Sequence, residues 1–108
     1  MPMNTLLPII EQMHNAADDR ARADILLRCP DGVMLKYADV FRDACRRAAF
    51  DPGETLVHYR EAALMAVRDA NGLLPPAIAG PLEELRQAMA RFAAGGRPQE
   101  PPAADTDL

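Results

Sequence analysis

The sequence predicts an all-α fold: a small bundle of four to five helices over residues 1–94, then a disordered, flexible Pro/Ala/acid-rich tail over 95–108. Three observations carry this expectation. Alanine is abundant while valine, isoleucine and threonine are sparse, a mix that favours helix because alanine loses no side-chain entropy there. Apolar residues recur at helical spacing in separate stretches. Turn-forming clusters punctuate those stretches at Pro30-Asp31-Gly32, Asp51-Pro52-Gly53, Asn71-Gly72 and Gly95-Gly96.

The first segment opens with Thr5 as a helix cap and Pro8 tolerated in the first turn. Leu6, Ile9, Ile10, Met13 and Ala17 share one face. A straight continuation would turn Arg20 and Asp24 into that face, so the spacing predicts a break near Asn15, with Asn15 as N-cap and Asp18 at N3. A single kinked helix is the alternative. The second short helix carries Ala21, Ile25, Leu26 and Cys29, and Pro30 ends it, because the residue before proline disfavours the α region.

Asp31 then caps the most regular helix of the chain. Val33, Tyr37, Val40, Phe41, Ala44, Cys45 and Ala48 fall on one face; Lys36, Asp39, Arg42, Asp43, Arg46 and Arg47 fall on the other. Leu35 is the one apolar residue on the polar side. Asp51-Pro52-Gly53-Glu54 reads as the next helix start, with Asp51 as N-cap, Pro52 at N1 and Glu54 at N3. This helix is expected to run to Ala70, closed by Asn71-Gly72. Its main face holds Leu56, Tyr59, Ala63, Ala66, Val67 and Ala70; Val57 and Leu64 form a second stripe, and Met65 lies on a third side. A helix apolar on so many sides is either the centre of a bundle or part of a subunit interface. Leu73 to Ala79, with Pro75-Pro76, reads as extended. Gly80-Pro81 opens the last helix, whose buried stripe is Leu82, Leu85, Met89, Phe92 and Ala93.

The formal net charge is −4, and Arg97 against Glu100, Asp105 and Asp107 places −2 of it in the tail. A nearly neutral body argues against broad charge-driven binding to nucleic acid or anionic membrane. No stretch approaches the twenty apolar residues of a membrane span, and no signal peptide is recognisable, so a cytoplasmic protein with two free thiols is expected. Eleven arginines to one lysine, with much alanine and proline, suggests a GC-rich bacterial genome.

No catalytic or metal motif stands out. Cys29, Cys45, His14 and His58 lack metal-ligand spacing, and neither cysteine has a neighbouring base in sequence, so no cofactor or metal is expected. Cys45 reads as a core residue; Cys29, beside a proline turn that could leave it partly exposed, reads as a packing residue rather than a nucleophile. The acid pairs Asp18-Asp19 and Glu83-Glu84 fall at expected helix starts, where they favour the macrodipole. Arg42, Arg46 and Arg47 form a candidate basic patch that a recognition helix could use, although Asp39 and Asp43 are placed to pair with them. The tail also contains a PxxP pattern from Pro98 to Pro101 and ends in Thr106-Asp107-Leu108.

The expected function is a small non-enzymatic binding or regulatory protein acting through protein–protein contacts, as a homodimer. Leu35, Val57, Leu64 and Met65 are its candidate interface. The alternatives are a nucleic-acid accessory protein using Arg42, Arg46 and Arg47, and a small-ligand binder or enzyme with an unrecognised site.

Overall fold

The computed structural model describes residues 7–95. These residues form six helices and no strand: α1 (Leu7–His14), α2 (Asp19–Arg28), α3 (Asp31–Lys36), α4 (Ala38–Arg47), α5 (Asp51–Met65) and α6 (Pro76–Ala93). The fold is therefore all-α, with more pieces than the four or five expected. The Thr5 cap and the tail motifs lie outside the described residues.

The extra count comes from two breaks. The first separates α1 from α2, as the phase conflict required, but Asp18 is the cap and Asn15 is not. The Asp18 carboxylate accepts from the Ala21 amide at 2.9 Å from an extended backbone. The second break divides the expected central helix at Tyr37 (φ −115°, ψ 25°). The hydrogen-bond ladder almost survives it, since the Tyr37 amide donates to the Val33 carbonyl and the Phe41 amide to the Tyr37 carbonyl. The bend brings Met34 and Ala38 into the core beside Phe41 and Cys45, and leaves Tyr37 and Val40 only half-buried. Asp31 lies within the first turn of α3; Pro30 is the capping position and has no side chain to cap with.

α5 is the hub of the bundle, packing against α2, α3, α4 and α6. This settles one of the two readings of its all-round apolarity: several sides are covered within the chain. Leu56, Val57 and Ala63 are buried in it. α2 also packs on α6, and α1 lies across α2 and α4.

The α4–α5 corner explains why Gly53 is glycine. α4 ends in a paired turn: the Ala49 amide donates to the Arg46 carbonyl at 3.0 Å and the Phe50 amide to the Cys45 carbonyl at 2.8 Å. Ala49 adopts φ 58°, a left-handed conformation that usually falls to glycine. The turn drops Phe50 onto the start of α5, where a Cβ on Gly53 would sit 2.6 Å from the Phe50 ring and 2.8 Å from the Cys45 sulfur. Phe50, not Asp51, occupies the N-cap position of α5, and no side chain caps it; the Gly53 and Glu54 amides both donate to the Phe50 carbonyl.

Two boundaries differ from expectation further on. α5 stops at Met65, because Ala66 turns extended (ψ 143°). The Asp69 carboxylate then accepts from the Asn71 and Leu73 amides, at 2.8 and 2.9 Å. The Asp69 amide donates to the Leu73 carbonyl, and Gly72 takes φ 80°. Asn71-Gly72 is thus the tip of a self-bonded turn rather than a helix cap. α6 starts at Pro76, earlier than expected, because Pro76 fits the first helical turn and the Ile78 and Ala79 amides close on the Pro75 carbonyl. Pro81 is consequently inside the helix. Gly95, at φ 93°, follows its end.

Candidate functional site

The arginine face comes first, because α4 presents it as the sequence indicated. Each arginine already has a carboxylate. Arg42 is bonded to Asp39 on its own helix and to Glu61 on α5. Arg46 reaches Glu54 on α5 at 2.7 Å, and Arg47 bonds to Asp43 through Nε at 2.9 Å. Three cations are matched by four carboxylates. The hydrogen bond to Glu61 raises the Arg42 pKa, while Arg47 holds the Asp43 carboxyl below its usual range. A phosphate would have to displace one of these partners, so the face lacks the free positive charge that nucleic-acid binding uses. His14, exposed at the end of α1, borders the same open cleft.

The thiols are not poised for chemistry. Cys29 and Cys45 are both buried and unpaired. Cys29 is thus inside, as a packing residue, because α5 packs against α2. The agent is Arg60 on α5, for which the sequence alone indicated no role. Its guanidinium donates to the Leu26 carbonyl at 2.7 Å, to the Cys29 carbonyl at 2.8 Å and to Asp31 at 2.7 Å. It satisfies carbonyls that the end of α2 would leave open and ties α5 to α3. Burial raises the Cys29 thiol pKa despite Arg60, and pushes Cys45 up to about 12. Both thiols stay protonated, the opposite of what a nucleophile needs.

The acid pairs divide. Asp18-Asp19 sits at a helix start as expected. Glu83-Glu84 lies well inside α6, where Glu83 accepts from Arg86 at 2.5 Å and from Gln87 at 2.9 Å, which lowers its pKa to about 2. Among the described residues no three His, Cys, Asp or Glu side chains group as metal ligands, and no helix is long and apolar enough to cross a membrane.

The four candidate interface residues part company. Val57 is fully buried by its own chain and is corrected to a core residue. Leu64 is half-buried. Leu35 and Met65 are exposed, at 39% and 70%. Two more apolar side chains join them: Val67 at 90% and Leu73 at 60%. The sequence placed Val67 on a buried helical face, and only the early stop of α5 brings it out. The signal available was Asp69, placed two and four residues before Asn71 and Leu73, a spacing that can compete with helix through side-chain-to-backbone bonds. At the other end of α5, Phe50, Pro52, Leu85, Ala88, Met89 and Phe92 line a pocket of 180 Å³. That is below the roughly 300 Å³ at which small-molecule sites usually begin.

Comparison with family models, with curated proteins and with solved structures gave no match. The fold and surface define the class: a small all-α bundle with ion-paired arginines and an exposed apolar turn.

Proposed function

We propose that this chain is a small non-enzymatic helical protein that works through protein–protein contacts, first of all with a second copy of itself. The observation that carries the reading is the exposure of Met65, Val67 and Leu73 within nine residues of chain. Isolated exposed apolar residues need no explanation, but several large ones on a single ordered segment mark an interaction surface. The rest of the surface favours the same reading. Arg42, Arg46 and Arg47 are paired with carboxylates, the thiols are buried, and the apolar pocket brings no polar groups together.

Light scattering over the micromolar range tests it. The full chain should have twice the chain mass, and Val67→Glu, at a position its own chain barely touches, should return a folded monomer. A parent that stays monomeric throughout removes self-association. Val67→Glu is a cleaner probe than Leu64→Glu, because Leu64 is half-buried and a charge there also strains the fold.

A further inference from the structure

A second pocket lies where α1, α2 and α4 meet. α1 packs on both other helices, so its last residue, His14, comes beside Arg22 of α2 and Arg47 of α4. These three side chains, with Met13, Ala44 and Ala48, line a space of 180 Å³. Among the described residues no acidic side chain lines it. The three basic groups come from three separate helices, so the i+3 and i+4 pairing that arises on any single helix does not account for their meeting. From this convergence we infer that the junction of α1, α2 and α4 is a binding site for a phosphate group, held by His14, Arg22 and Arg47. The site is independent of the proposed self-association, since it shares no residue with the 65–73 turn.

The pocket differs from the open arginine face of α4. On that face Asp39 and Asp43 stand among the arginines, and a phosphate has to compete with them. His14 and Arg47 border both spaces, but Asp43 borders only the open one. The donors of the pocket are braced and still have capacity. Arg22 donates through Nη1 to Asp19 at 2.5 Å and through Nη2 to the Ala16 carbonyl at 3.4 Å, which holds its guanidinium in place. Its Nε has no partner among the described residues. Arg47 uses Nε and Nη2 on Asp43, which leaves Nη1. His14 is exposed, and an imidazole donates an N–H in either protonation state. The guanidinium fork matches phosphate oxygens, and hydrogen bonds between ionised partners are about twice as strong as neutral ones. The 180 Å³ admits a phosphate group, since a cavity of about 150 Å³ holds a benzene ring. Beyond His14 and Arg47 the pocket adjoins the open cleft of α4, so the organic part of a phosphate monoester has a way out.

Titration of the full chain with sodium phosphate, followed by NMR in a buffer free of other oxyanions, tests the site. The side-chain signals of His14, Arg22 and Arg47 should shift together and reach half-saturation below about 5 mM. A linear drift through that range overturns the site, and so do equal shifts with sodium chloride at matched ionic strength. Arg47→Gln and Arg22→Gln should each weaken binding about tenfold or more, the scale of one hydrogen bond to a charged group, and His14→Gln should weaken it as well. Arg46→Gln makes the same charge change on α4 outside the pocket and should alter binding less than about twofold. An equal loss in Arg46→Gln means a diffuse charge effect and overturns the site. Arg22 also braces the Ala16 carbonyl, so if Arg22→Gln melts early, the exposed positions Arg47 and His14 carry the test. Glycerol phosphate identifies the source of the group. Binding about tenfold tighter than inorganic phosphate supports a phosphorylated small molecule reaching into the cleft, and equal or weaker binding supports the free ion.

Discussion

The two ends of α5 are built differently from similar residues. At the start, Phe50, Gly53, Leu56 and Val57 are enclosed by α4 and α6, so closely that Gly53 has no room for a Cβ. At the finish, Met65 and Val67 stand in solvent, where the chain leaves the helix at Ala66. The contrast shows that apolar content alone does not make a core. A helix flanked on several sides buries its side chains only over the length that its neighbours reach. Beyond it, the same kind of residue becomes surface, and here it becomes the proposed contact.

The widest test of this contrast pairs a residue from each end. Leu56→Ala should lower stability by about 2–5 kcal/mol, whereas Met65→Ala in dilute protein should change it by less than about 0.5 kcal/mol. Urea unfolding of both variants measures the gap, and equal losses would mean that Met65 is covered in solution. Gly53→Ala should cost about 1–3 kcal/mol, since the added methyl collides with the Phe50 ring and the Cys45 sulfur. An unchanged midpoint would mean that the corner is looser than its distances.

The packed end also predicts a pH dependence. Folding raises the Cys45 pKa from 9.0 to about 12, so between these values the unfolded thiol has lost its proton and the folded one has kept it. Stability from this group is therefore complete below pH 9 and falls as the pH rises toward 12. Thermal melts of the parent and of Cys45→Ala should diverge less as the pH is raised through this range. A constant gap would remove the thiol as the cause.

Two smaller effects concern the corner between α4 and α5. Ala49→Gly should stabilise by roughly 0.5–1 kcal/mol, the relief of a left-handed alanine less the added freedom of glycine in the unfolded chain. A melt at or below the parent's would contradict the φ of 58°. Asp51→Ala should cost only about 0.3–0.5 kcal/mol, the dipole share alone, because the Asp51 side chain caps nothing. A loss of 1 kcal/mol or more would restore Asp51 as the cap.

The sequence by itself determined the helical class, the break after α1, the stop at Cys29–Pro30 and most of the core stripe. All of these follow from local terms: helical periodicity, proline sterics and alanine's helix propensity. It also indicated that Asp39 and Asp43 would pair with the arginines, since i+3 and i+4 neighbours meet on any helix. Only the tertiary structure decided the rest. Glu54 and Glu61 complete the neutralisation of the arginine face from another helix. Arg60 reaches across to close the end of α2 over Cys29, from more than thirty residues away in sequence. Val57 and Val67 are both valines on the same expected helix, yet one is core and the other surface. The difference is set by which neighbours lie alongside and by where the backbone finds better hydrogen bonds in a turn than in another helical turn. Periodicity ranks the faces of a helix but carries no information about the reach of the helices packed against it.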